Sequence, residues 1–168
     1  MQDNTTKIEG RTLTITRIFN APRERVWKAW TDPELVKKWW GPKIFTAPHI
    51  AIDLRVGGKY LYCMKSETGE EAWKKSIWST GIYKEIKPRG KLVMTDSFAD
   101  EHGNIVSGAA YGMEGIPEEL EVTITLADVG DKTKMTMVHS GFPAGEYVKL
   151  AGDGWNESFD KMAEALKK

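Results

Sequence analysis

The run Ala21-Pro22-Arg23-Glu24-Arg25-Val26-Trp27-Lys28-Ala29-Trp30-Thr31-Asp32-Pro33-Glu34-Leu35-Val36-Lys37-Lys38-Trp39-Trp40-Gly41-Pro42 decides how the chain is read. It carries four of the seven tryptophans. Val26, Trp27 and Trp30 have helical spacing after Pro22, a residue suited to a helix's first turn, so a short helix is expected over 23–31. Asp32-Pro33 restarts the pattern as N-cap and first helical residue. Leu35, Val36, Trp39 and Trp40 follow until Gly41-Pro42 stops it. Trp27 and Trp30, three residues apart, share one helical face and need a broad apolar partner such as a sheet. The run therefore reports a scaffold of two short helices laid against a sheet.

At 168 residues and 40% hydrophobic content, the chain fits one domain, and a chain of this size buries roughly 70% of its unfolded surface. With one cysteine, Cys63, it has no internal disulfide. The first thirty residues hold no apolar run of signal or membrane-spanning length, which reads as a cytoplasmic protein without a membrane span. Twenty-four basic residues balance twenty-four acidic ones. No global field is then available to hold nucleic acid or an anionic membrane, and no nucleic-acid partner is expected.

Residues 12–19 alternate, with Leu13, Ile15 and Phe19 on one side and Arg17 interrupting that side, as in a half-buried strand. Residues 1–11 read as an N-terminal tail and 12–168 as the single domain. After the helices the period is two. Ile50 and Ile52 lead through Gly57-Gly58 to Tyr60, Tyr62 and Met64. Trp78 to Ile86 turns at Lys87-Pro88-Arg89-Gly90 into Leu92 to Phe98. Leu120 to Leu126 and Met135 to His139 form the clearest hairpin. Residues 146–167 place Val148, Ala151, Trp155, Phe159, Met162 and Leu166 on one face of a long amphipathic helix, where Gly152 and Gly154 suggest close backbone approach or a bend. The expected class is α+β: a curved antiparallel sheet of about six to seven strands wrapped around a long C-terminal helix, with space between the two layers.

Arg17 with Ala21-Pro22-Arg23, Val26 to Pro33, Trp39-Trp40-Gly41-Pro42, Asp53-Leu54-Arg55 with Gly57-Gly58, Thr80-Gly81-Ile82-Tyr83 and Gly154-Trp155-Asn156-Glu157-Ser158-Phe159 resemble the SRPBCC (START-like, Bet v 1-like) superfamily, within the branch named for activators of the Hsp90 ATPase. The resemblance implies a helix-grip fold with a cavity. It does not imply a reaction, because the superfamily includes carriers, cyclases, receptors and chaperone regulators. The eukaryotic activators it resembles carry a separate N-terminal domain. A first strand starting near Thr12 leaves no room for one, which argues against direct Hsp90 activation.

Ligand-facing candidates are Arg17, Tyr60, Tyr62, Trp78, Met137, His139, Trp155, Ser158 and Phe159. His139 is in register with Met135 and Met137 and so points inward, either as a ligand contact or as a buried histidine bonded to a neighbour. Arg17 on an apolar face needs an acidic partner, with Asp53 or Asp96 as options, or a ligand anion. Tyr60, Tyr62, Trp78, Met137, Trp155, Phe159 and Met162 suit a flat apolar ligand, and each singly also suits a core. Ser158 points inward or bonds its own backbone.

Residues 107–117, glycine-rich yet carrying Tyr111, Met113 and Ile116, read either as a flap at the cavity mouth or as a surface loop. His49, His102, His139 and Cys63 lack ligand spacing, so neither metal nor other cofactor is expected. No GxGxxG, Walker A, GxSxG or CxxC motif is present. The leading expectation is a non-enzymatic module that binds a small apolar or aromatic molecule or lipid. Alternatives are a cyclase-, dehydratase- or hydrolase-like cavity enzyme, marked by converging polar groups, and a chaperone-related or stress-response interaction module with an exposed apolar patch, through which a homodimer would also form.

Overall fold

The computed structural model describes residues 4–66, 76–143 and 145–167. In chain order the elements are β1 (Thr5–Glu9), β2 (Thr12–Phe19), α1 (Arg23–Thr31), α2 (Pro33–Val36), β3 (Phe45–Ile52), β4 (Lys59–Ser66), β5 (Ile77–Lys87), β6 (Lys91–Ala99), β7 (Leu120–Val129), β8 (Lys132–Ser140) and α3 (Glu146–Leu166). A short 3-10 turn at Gly108–Tyr111 lies between β6 and β7. The eight strands form one antiparallel sheet in the order β1-β2-β8-β7-β6-β5-β4-β3. This is the helix-grip arrangement, with one strand more than the sequence pattern suggests.

The added strand is β1. Residues 5–9, expected as part of a tail, pair with Thr12–Thr16 across a turn in which Gly10 takes φ +60°. All five β1 residues are exposed, so the hydrophobic alternation that marks a strand in sequence never develops there. The paired helices form as expected. Asp32 caps α2 by accepting from the Glu34 N–H at 3.0 Å, with Pro33 in the first turn.

The tryptophan run is held from both sides. Trp39 Nε1 donates to the Ala29 carbonyl at 2.8 Å, folding α2 back on α1. Trp30 Nε1 reaches Met135 Sδ on β8 at 3.3 Å. The rings of Trp30 and Trp39 pack edge to face at 4.7 Å, and both meet Phe159 of α3 at about 6 Å. From α3, Lys161 Nζ donates to the carbonyls of Trp40, Pro42 and Phe45 at 3.4, 3.2 and 3.0 Å. Burial pushes the Lys161 ammonium below its ordinary value. Gly152 lets α3 come close to β2, since a Cβ there would stand 3.2 Å from Leu13 Cδ1.

Gly81 on β5 is a tighter constraint. A Cβ at this position would overlap the Thr95 carbonyl oxygen and the Tyr60 ring. Neither is the free end of a flexible chain, so Gly81→Ala is expected to cost about 3 kcal/mol as an overpacked site. Urea unfolding of the two proteins measures this directly, and unchanged midpoints would remove the constraint.

Candidate ligand site in the aromatic interior

Strand register sorts the sequence candidates. Met135, Met137 and His139 pair with Leu126, Ile124 and Val122, and all six are buried on the concave face. Tyr60 and Tyr62 join them from β4, and Tyr83 from β5 through its pairing with Met94. Trp155, Ser158 and Phe159 enter from α3, all buried. Trp78 does not. It pairs with Cys63 and Ala99 while Tyr62 pairs with Ser79, so Trp78 stands on the opposite face, its ring 5.4 Å from that of His49. In the apparent apolar row Trp78, Ile82, Ile86, the first two fall on the outer face, where Ile82 is exposed, and only past the bulge between Tyr83 and Glu85 does Ile86 reach the core. The buried Cys63 thiol lies on this outer side, and burial raises its pKa.

Arg17 is also resolved, with a partner different from those expected. Its Nη2 pairs with Asp160 of α3 at 2.8 Å and its Nη1 donates to the Asn156 carbonyl at 3.4 Å. Asp53 instead pairs with Arg55 at 2.8 Å. The guanidinium is thus a clasp between β2 and α3, because a helix packed over the strand brings a carboxylate closer than the sheet does.

Asp96 faces His139. Nδ1 of His139 accepts from Trp155 Nε1–H at 3.0 Å, and Nε2 lies 3.0 Å from Asp96 Oδ2. An indole nitrogen can only donate, so the bond to Trp155 requires Nδ1 to be bare and places the neutral imidazole's proton on Nε2. That N–H is close to Asp96 without the alignment of a full hydrogen bond, and it has no hydrogen-bond partner among the described residues. Asp96 keeps 21% of its side-chain surface exposed although it sits on the inner face.

Further polar atoms share this neighbourhood. Trp40 packs its ring 4.6 Å from Tyr62 and 5.4 Å from Trp155, and Tyr62 lies 4.5 Å from Tyr60, itself 5.8 Å from Tyr83. Trp40 Nε1 is buried with no hydrogen-bond partner among the described residues, and the buried hydroxyls of Tyr62 and Tyr83 approach only one another, without a well-formed hydrogen bond. By contrast, the Tyr60 hydroxyl donates to the Thr95 carbonyl at 2.7 Å. Sequence reasoning treated Trp40 as scaffold and did not single out Tyr83. The usable signal for Tyr83 was its parity: it is odd-numbered on a strand where the aromatic Trp78 is even.

Burial raises the pKa of Tyr60, Tyr62 and Tyr83. The Asp96 charge adds to the effect on Tyr60 and Tyr62, and Tyr83 is pushed up to about 12, partly offset by the neighbouring Tyr62 hydroxyl. Rings fill much of the space expected between sheet and helix. Two open grooves, about 670 and 400 Å³, run along the flank of α3 and include none of the residues read from sequence as ligand-facing. Among the described residues no three His, Cys, Asp or Glu side chains are grouped to hold a metal ion. The 107–117 segment is tied to the sheet through Tyr111, whose hydroxyl accepts from the Trp78 N–H and donates to the Ala99 carbonyl, while Ile116 packs against the core.

Comparison with known proteins places this geometry. The model of the family described as "Activator of Hsp90 ATPase homolog 1-like protein" matches residues 20–167. The chain belongs to this family. Activator of Hsp90 ATPase homolog 1-like architecture also appears in solved structures similar to it. A protein from Chromobacterium violaceum is 27% identical, covers 94% of this chain and 98% of its own, and has a TM-score of 0.76. One from Arthrobacter aurescens is 24% identical, with 97% and 91% covered and a TM-score of 0.80. An AHSA1 protein from Silicibacter pomeroyi is 20% identical, with 93% and 97% covered and a TM-score of 0.72. The latter two bear on fold alone. No curated protein matches the chain. Among the described residues no helix is long and apolar enough to cross a membrane.

Two measurements check the site's polar accounting. Tyr62→Phe removes a buried hydroxyl that has only the Tyr83 hydroxyl beside it, so stability is expected to change little. Tyr60→Phe strands the Thr95 carbonyl and is expected to cost about 1 kcal/mol. Thermal unfolding of both variants tests the contrast, and equal losses would contradict it. In alkali, the folded state holds these phenolic protons more tightly than the unfolded chain. Their stabilisation is therefore complete below the ordinary pKa of 10.0 and, for Tyr83, falls as pH rises from there to about 12. Phenolate absorbance against pH should show a group of tyrosines ionising above that ordinary value, with unfolding joining it at the upper end.

Proposed function

We propose that this protein binds a small, largely apolar ring molecule in the interior between the concave sheet and α3. The observation that carries this reading is the set of buried polar atoms that make no well-formed hydrogen bond among the described residues: Trp40 Nε1, the neighbouring Tyr62 and Tyr83 hydroxyls, and His139 Nε2, which has only the Asp96 carboxylate beside it. Each such atom costs about 1–3 kcal/mol if nothing bonds it, so four in one contiguous ring cluster mark a place prepared for something other than protein. The aromatic walls supply apolar area, and the inward-facing but partly exposed Asp96 marks solvent access to the cluster. Ring-to-ring packing leaves little volume, which favours a compact ligand over a long-chain lipid.

A second reading, catalysis in the same interior, is favoured by the approach of Asp96 to His139. His139 is poorly suited to be its base, because Trp155 occupies its one free lone pair. Asp96, with access to solvent, is the group that would take a proton, and His139 would position it.

The binding reading is tested by titrating the protein with neutral one- and two-ring compounds while following the tryptophan indole N–H resonances. The Trp40 and Trp155 signals are expected to move, and that of Trp78, on the far face, to stay. A panel that moves no signal, or moves that of Trp78 alone, would sink the reading.

A further inference from the structure

The unsatisfied atoms of the interior are not chemically neutral in what they ask for. Trp40 Nε1–H is a donor and nothing else. His139 Nε2–H is likewise a donor, because the bond from Trp155 Nε1 at 3.0 Å fixes the tautomer. The Tyr62 and Tyr83 hydroxyls are buried and lie close enough to act on one another; one proton suffices between the two, which leaves the other to turn toward a guest. Against these four, the Asp96 carboxylate stands 3.0 Å from His139 Nε2, and the charge of Asp53 reaches Tyr83. The site therefore holds an excess of donors.

Charge narrows the guest further. An anion would satisfy the donors but would enter beside the Asp96 carboxylate in a poorly screened interior, where like charges repel strongly. A cation would suit Asp96 and the ring faces, yet it would leave every strict donor unbonded and facing positive charge. A neutral oxygen acceptor on a ring meets neither objection. Its two lone pairs can take two N–H or O–H groups, while the rest of the molecule lies against the indole and phenol faces.

Building on the binding reading above, we propose that the ligand is an uncharged ring compound bearing a carbonyl-type oxygen, received by the indole N–H of Trp40 and the hydroxyl of Tyr62, whose rings lie 4.6 Å apart, with the N–H of His139 held beside Asp96. Trp155 is a positioning residue in this arrangement. It touches His139 from α3 and selects the tautomer that donates.

A matched series tests the chemistry at nearly constant size and shape: indane, 1-indanone and 1-aminoindane, with affinities from the indole N–H titration. One well-made hydrogen bond to the oxygen predicts that 1-indanone binds about tenfold more tightly than indane, with 1-aminoindane no better than indane. Tyr62→Phe, which keeps the ring, should erase most of that preference, read as the ratio of 1-indanone to indane affinity within the same variant. Trp40→Phe should lower the same ratio, followed on the Trp155 signal. Equal binding of indane and 1-indanone would overturn the carbonyl assignment and leave interior binding standing. Tightest binding of 1-aminoindane would overturn it in favour of a cationic ligand held by Asp96. Loss of response to all three compounds would remove both the assignment and the binding reading.

Discussion

One helix must cover a sheet much wider than itself. Eight strands at roughly 4.8 Å spacing span about 34 Å, whereas a helix with its side chains is about 10 Å across. Curvature of the sheet shortens the gap, and bulky rings fill what remains. The tryptophan run meets this need. α1 and α2 bring Trp30, Trp39 and Trp40 to the side of α3, where they meet Trp155 and Phe159. β4 and β5 supply Tyr60, Tyr62 and Tyr83 across from them. Indoles and phenols also bring polar atoms into the interior they fill. Some of these find backbone or sulfur partners, as Trp39, Trp30 and Tyr60 do. The others create the donor-rich cluster at the centre of the molecule.

The layers, the paired short helices and the inward direction of His139 were all legible from the sequence. Each rests on a periodicity or capping signal strong enough to survive tertiary context. β1 was not legible, because a strand exposed on both faces carries no alternation. Trp78 shows the other failure. Parity assigns a face only if the strand's register is known, and a bulge between Tyr83 and Glu85 breaks the simple count on β5. Arg17 found its carboxylate on α3 because sequence can flag a charge that needs a partner but cannot measure which element passes closest. Trp40 was treated as scaffold because helical spacing says which side a ring takes, while the bonding of its nitrogen depends on strands far along the chain.

Trp155 belongs to both the core and the polar cluster. Its ring stacks on Phe159 at 5.4 Å as part of the core, and its nitrogen sets the state of His139. A doubly protonated imidazole would turn a donor toward a donor at that contact, so the helix and the histidine are energetically linked. Packing and site chemistry are therefore carried by one residue.

The sheet is open, and its two outermost strands are guarded at their edges. β1 presents Lys7 and Glu9 along its free side, and β3 carries Pro48, which has no N–H to offer, at a point where the pairing with β4 is already irregular between Thr46 and His49. Charge and proline are the devices by which natural sheets discourage another strand from joining in line. Addition of a further strand in line with either edge is thus disfavoured, so the pairing of this sheet ends at β1 and β3.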